Sequence, residues 1–157
     1  MPTIAGLARL FFSFRGRAGR PAFWLVSLTW FVLSNAFDYW WSTKGVMAAA
    51  AHDRAMVNAA LVVASLPALV SCVAIGARRL HDRNKSAWWL LLFAVVPPLL
   101  QGAASLNTLE AGPVVWLNVA AIALSLWALV ELGFMRGTRG PNRFGLDPTL
   151  DAGTVAS

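Results

Sequence analysis

From Ala55 to Ala77 the chain runs 23 residues without an acid or a base, and that stretch constrains the fold more than any other feature. Wound as a helix at about 1.5 Å per residue, it crosses a hydrocarbon core of about 30 Å. Ala22 to Trp41 and Pro113 to Met135 do the same with one acid each, Asp38 and Glu131. Pro113 suits a first helical position, because its missing donor would be unpaired there anyway. A further segment, Ala87 to Leu100, is strongly apolar but short. To reach the far side it must continue through Gln101, Gly102, Ser105 and Asn107 towards Leu109, and Pro97 and Pro98 are expected to kink it.

Composition agrees with membrane rather than water as the main solvent: 58% of residues are hydrophobic, 13% are charged and mean hydropathy is +0.61, beyond what a soluble domain carries. The basic residues are gathered rather than scattered. Arg9, Arg15, Arg17 and Arg20 precede the first segment, Arg78, Arg79, Arg83 and Lys85 follow the second, and Arg136, Arg139 and Arg143 follow the last. Only Lys44 and Arg54 fall on the opposite side. A re-entrant third segment would split these clusters between two faces, so the positive-inside rule favours four full spans with the clusters in the cytoplasm.

The expectation is therefore an all-α, four-helix integral membrane bundle with cytoplasmic N- and C-termini, placed multi-pass in a bacterial inner membrane. Its spans are about 22–41, 55–77, 87–109 and 113–135, within a membrane domain of 1–148 and ahead of a disordered 149–157 tail. A cleaved signal peptide ending near Ala48, Ala49 and Ala50 fits less well, since the charged region before the first span is too long and the alanines lie well beyond its end.

Tryptophans give a partly independent check, because indole prefers the membrane interface. Trp24, Trp88 and Trp89 fall at expected cytoplasmic ends, and Trp40, Trp41 and Trp116 at outer ends. Trp30 and Trp127 do not fit the belt and are expected to pack between helices or face acyl chains. Ala60, Ala64, Ala68, Cys72 and Gly76 recur every four residues, a small-residue stripe suited to close helix approach. Packing within the bundle is the favoured use of that stripe over a dimer seam, and Pro67 beside it should bend the helix. Asn35, Asn58 and Asn118 are candidates for interhelical hydrogen bonds. A single cysteine, Cys72, allows neither a disulfide framework nor a thiolate metal site within one chain.

Three motifs accompany the basic clusters. The first is Phe14-Arg15-Gly16-Arg17 with Arg20, Phe23 and Trp24. The second is Arg78-Arg79-Leu80-His81-Asp82-Arg83 with Lys85-Ser86 and Trp88-Trp89. The third is Gly140-Pro141-Asn142-Arg143-Phe144-Gly145 with Asp147-Pro148. In this order, from about Phe11 to Pro148, they resemble the domain-of-unknown-function 805 family, the YhaH-like inner-membrane proteins of bacteria. Ala22 stands where members often carry a glutamate. The resemblance implies a four-span inner-membrane protein and brings no established activity.

The connection from Arg78 to Ser86 is expected to be a tight hairpin holding its cations at headgroup level. Arginine forks bind phosphate bidentately and lysine binds it as a point charge, so Arg17, Arg20, Arg78, Arg79, Arg83, Lys85 and Arg143 are candidate ligands for anionic phospholipid, with Arg9 and Arg139 at the periphery. The bland alternative is that these residues only set topology and anchor helix ends. His81 and Asp82 invite an enzymatic reading, but adjacent helical residues point about 100° apart and no nucleophile or second carboxylate stands near. Asp82 is instead expected to pair with an arginine of its own cluster and His81 to cap or donate to backbone. No metal spacing and no cofactor motif is present, and the basic residues abut apolar segments without a nucleic-acid-binding motif.

Glu131 lies inside the last span and needs a basic partner, for which Arg78 or Arg79 is the expectation. His81, Asp82, Trp24, Trp88, Trp89, Asn142 and Glu131 thus count as structural motif residues. Arg139 to Pro148 is expected to fold back on the other clusters, with Phe144 as its apolar anchor. The expected function is non-enzymatic: binding anionic lipid headgroups, a second copy or another membrane protein through a basic cytoplasmic face. A small transporter or channel subunit with Glu131 on its pathway is the rival.

Overall fold

A computed structural model of the chain describes residues 3–43, 54–105 and 111–148. Among them it contains five helices and no strand, only an isolated bridge between Asn142 and Gly145. Helix α1, Ile4–Phe12, is capped by Thr3, whose Oγ1 accepts the Gly6 N–H at 3.2 Å and so satisfies one donor that the first turn leaves open. Helix α2, Arg20–Thr43, carries Pro21 in its first turn, where proline costs no hydrogen bond. Helix α3, Arg54–Asp82, runs 29 residues through Pro67.

Helices α4, Leu91–Ala104, and α5, Ala111–Phe134, each contain a π-helical turn. In α4 the wide turn is Leu91–Val95, and the Val96 N–H reaches back to the Leu91 carbonyl. It comes just before Pro97 and Pro98, which cannot donate to the carbonyls one turn earlier, so the helix passes both prolines from a freshly started turn. In α5 the wide turn is Val130–Phe134, closed by the Met135 N–H on the Val130 carbonyl at 3.1 Å.

Among the described residues two helices are both long and apolar enough to cross a membrane, α3 over Leu61–Asp82 and α5 over Ala111–Phe134. Only 11% of the α5 window is buried, with Val115, Ile122 and Leu126 each 57% exposed. A core helix of a soluble protein would hide such a face. Helix α2, at 24 residues, has the length but carries Ser27, Thr29, Asn35 and Asp38. Helix α4 has the apolarity but stops at Ala104, and the expected continuation through Asn107 to Leu109 lies outside the described residues. Lys44, Ala48 to Ala50 and the 149–157 tail lie outside them too.

The packed core gathers around the basic motifs. One cluster joins Ala18, Val26 and Ile75, against which Leu10, Phe11 and Trp30 pack. The other joins Leu80, Phe93 and Leu132, and Phe23 contacts both. Gly76 is where the small-residue stripe brings helices together, since a Cβ there would lie 2.8 Å from Leu90 Cδ2. Ala64 and Cys72 remain exposed, and the Ala60 side chain is outside the described set. Trp30 and Trp127 both pack between elements, Trp30 edge-on to Phe11 at 6.4 Å and Trp127 edge-on to Phe93 at 5.3 Å.

Two sequence expectations need correction here. Asn35 and Asn118 do not bridge helices: each amide donates to the carbonyl four residues earlier in its own helix, Phe31 at 2.7 Å and Val114 at 2.9 Å, a local bond available without any neighbour. The Asn58 side chain is outside the described residues. Helix α1 was not foreseen, although Thr3 followed by apolar Ile4, Leu7, Leu10 and Phe11 at helical spacing carries its signal.

Candidate functional site

Helix α3 does not end at Ala77 but continues to Asp82, so the connection after it is shorter than the nine residues from Arg78 to Ser86. The helix stops in a Schellman turn. Asn84 takes the left-handed conformation, φ 56°, while the Lys85 N–H bonds the Leu80 carbonyl at 2.8 Å and the Asn84 N–H bonds that of His81 at 3.0 Å. Arg78, Arg79, His81 and Asp82 therefore sit on the last helical turns, where successive side chains diverge by about 100°. Each reaches a different segment.

Arg78 turns to α1 and donates to the Leu10 carbonyl, while its own carbonyl accepts the Ala18 N–H at 3.1 Å. Arg79, with a side chain 0% exposed, turns to the end of α5. It donates through Nε to the Leu132 carbonyl at 2.7 Å, through Nη2 to that of Met135, and through Nη1 to Asp82 Oδ2 at 2.5 Å. Asp82 is thus paired within its own cluster, as expected, and it holds a second cation as well: Arg17 Nε donates to Asp82 Oδ1 at 3.0 Å.

Arg17 spends its remaining donors on the carbonyls of Gly140, at 2.5 Å, and Thr138, at 2.5 Å. The Asp82 carbonyl in turn accepts the Thr138 N–H at 2.8 Å and its hydroxyl at 2.9 Å. A side chain at Gly137 would fall inside the Asp82 carboxylate, so only glycine lets the chain pass there. Residues from all three motifs are joined through one buried carboxylate.

The third motif folds back as the sequence predicted, on Phe144. Its ring stacks on that of His81, centroids 3.9 Å apart and planes 8° from parallel, while the Arg143 guanidinium lies 4.6 Å from its centroid on the same ring system. Asn142 Nδ2 donates to the His81 carbonyl at 2.9 Å, its Oδ1 accepts the Phe144 N–H at 2.9 Å, and Arg143 Nη2 donates to the Asn84 carbonyl at 3.1 Å. Trp24 Nε1 donates to the Gly133 carbonyl at 3.1 Å, pinning α2 to α5. Trp88 is 76% exposed, and Trp89, also exposed, lies beside Lys85.

Glu131 is paired, but not with Arg78 or Arg79. Its Oε1 lies 2.5 Å from Lys85 Nζ and its Oε2 3.2 Å from Arg83 Nη1, with a side chain 7% exposed. Both predicted partners are already committed elsewhere, and Glu131 sits on the π turn of α5, whose extra residue re-aims a side chain relative to an unbroken α-helix. The cations past the Schellman turn then meet it.

Of the seven expected phosphate ligands, Arg17, Arg78, Arg79, Arg83, Lys85 and Arg143 all use donors inside the fold. Arg20 and Arg79 both line a cleft of about 420 Å³ together with Arg136 and Arg139, and of the seven only Arg20 has no hydrogen bond or ion pair among the described residues. Arg20 comes from the first turn of α2, and Arg136 and Arg139 from the segment leaving α5. No hydrogen bond or ion pair among the described residues engages these three exposed arginines. The paired Arg79 and Asp82 line the cleft too, as does Asp147, whose Oδ2 accepts the Gly140 N–H at 3.0 Å. Sequence reasoning placed Arg139 at the periphery and gave Arg136 no role. Their signal was membership of the third basic cluster, and only folding of 136–148 onto α3 turns that into proximity to Arg20. Among the described residues no group of three His, Cys, Asp or Glu could hold a metal ion.

Residues 11–146 match the family described as Protein of unknown function (DUF805). The chain is 29% identical over 140 residues to the Uncharacterized protein YiiR of Escherichia coli K12, covering 87% of this chain and 86% of that one. It is 27% identical over 138 residues to the Inner membrane protein YhaH of the same strain, covering 88% of each. No solved structure matches it.

Proposed function

This chain belongs to the DUF805 family of proteins of unknown function, a relative of which is named an inner membrane protein, and from that premise we propose that it binds anionic lipid headgroups at the cytoplasmic surface of a bacterial inner membrane. It does so without catalysis. In this reading α2, α3, α4 and α5 all cross the bilayer, both termini lie in the cytoplasm, and the basic end of the bundle meets the inner leaflet, as the positive-inside rule requires.

The observation that carries the proposal is the cleft: Arg20, Arg136 and Arg139 line one open space with no hydrogen bond or ion pair among the described residues, while Arg17 and Arg79 spend their donors within the protein. Arginines left unpaired around a concavity at headgroup level offer bidentate forks to phosphate. Exposed Trp88 flanks the same end, where indole prefers the interface.

The test is lipid retention. Protein extracted in mild detergent and examined by native mass spectrometry should carry anionic phospholipid, and the triple variant Arg20→Gln, Arg136→Gln, Arg139→Gln should lose it. Arg9→Gln with Arg15→Gln should keep it. Equal loss from both variants would mean diffuse attraction to the surface and no headgroup site.

A further inference from the structure

The cleft has a charge and a geometry that distinguish one class of phosphate from another. Four guanidinium groups, Arg20, Arg79, Arg136 and Arg139, and two carboxylates, Asp82 and Asp147, line it, a formal balance of two positive charges. Asp82 is held by Arg17 and Arg79, so it does not offset the other three. Those three come from two separate segments, Arg20 from the start of α2 and the other two from the stretch after α5.

A phosphodiester brings one charge and two free oxygens, too few acceptors for three forks. A phosphomonoester above its second pKa of about 6 brings nearly two charges and three terminal oxygens, enough lone pairs for a bidentate contact from each arginine. We propose that the Arg20–Arg136–Arg139 cleft selects a phosphomonoester dianion over a phosphodiester. This rests on the headgroup reading above, and the group can arrive on a membrane lipid or on a soluble phosphate ester.

The experiment uses the full chain in nanodiscs or mild detergent and compares phosphatidic acid with phosphatidylglycerol of the same acyl chains. At pH 8 phosphatidic acid should be retained about tenfold more tightly, the worth of one further charge-assisted hydrogen bond. The preference should fade as pH falls through about 6, where the monoester loses its second charge while arginine stays protonated. Arg20→Gln with Arg136→Gln should abolish it. Neither side chain makes a hydrogen bond or ion pair among the described residues, and Arg20→Lys, which keeps the charge without the fork, should keep binding but lose selectivity.

Glycerol 3-phosphate at millimolar concentration separates the sources. If it raises thermal stability on its own and displaces phosphatidic acid, the dianion comes from solution; if it does neither while phosphatidic acid binds, the dianion comes from the bilayer. Both outcomes support the class. Equal retention of the two lipids, lost together in the double variant, would overturn dianion selection and leave the headgroup reading standing. No retention of either, or retention unchanged in the double variant, would overturn both.

Discussion

Arg17 and Asp82, 65 positions apart, meet at 3.0 Å in a pair whose side chains are 1% and 5% exposed. The pair is where the loop before α2, the end of α3 and the segment after α5 are tied together, because the same carboxylate also takes Arg79 and the same guanidinium also takes the carbonyls of Thr138 and Gly140.

Removing Asp82 should therefore cost more than losing one ion pair. Asp82→Ala leaves two buried arginines without their anion, a change worth about 3–5 kcal/mol. Thermal unfolding in detergent should drop steeply. Arg17→Gln and Asp82→Asn combined should do less damage than the sum of the single changes, whereas additive losses would mean that the pair is not a unit.

Gly137 and Gly102 make a matched comparison. Alanine at 137 drives a Cβ into the Asp82 carboxylate, overpacking that typically costs about 1–3 kcal/mol. Alanine at 102, in α4 with open space around it, should be neutral or stabilising by about 0.5–1 kcal/mol through helix propensity. Equal stabilities for the two variants would contradict the crowding at Gly137.

Glu131 tests the register imposed by the π turn. Double-mutant cycles pairing Glu131→Gln with Lys85→Gln or Arg83→Gln should show couplings of about 0.5 kcal/mol or more, and the cycle with Arg78→Gln should be additive. Coupling to Arg78 alone would return Glu131 to one of the two partners expected from the sequence.

The His81–Phe144 stack fastens the third motif to α3. Phe144→Ala should cost about 0.5–1.5 kcal/mol for the aromatic contact and should speed amide exchange at Thr138 and Asn142 ahead of the helices. Exchange unchanged at those sites would mean that Arg17 and Asn142 hold the segment without the ring.

Cysteines placed singly at Ser86 and Asp38, with Cys72 replaced by alanine, should be labelled from opposite sides by an impermeant maleimide in intact and opened spheroplasts. Ser86 should need opening of the membrane. Labelling of both from outside would break the four-span topology.

Sequence alone carried the coarse features: helices long and apolar with faces exposed among the described residues, cations gathered in three clusters, and a third motif returning to the second through Phe144. These follow from local quantities, the hydropathy of a stretch and the charge beside it, which need no knowledge of neighbours. Which arginine meets which acid was decided only in three dimensions. Arg78 and Arg79 are adjacent in sequence yet point to α1 and α5, because the helix runs on to Asp82 and turns each side chain about 100° from the last. A π turn gives Glu131 to Arg83 and Lys85, and its hydrogen-bond shift leaves no mark in composition. Arg20, Arg136 and Arg139 become neighbours only once Gly137 slips past Asp82 and the inner cations are consumed, so which charges stay free depends on the packing of the others.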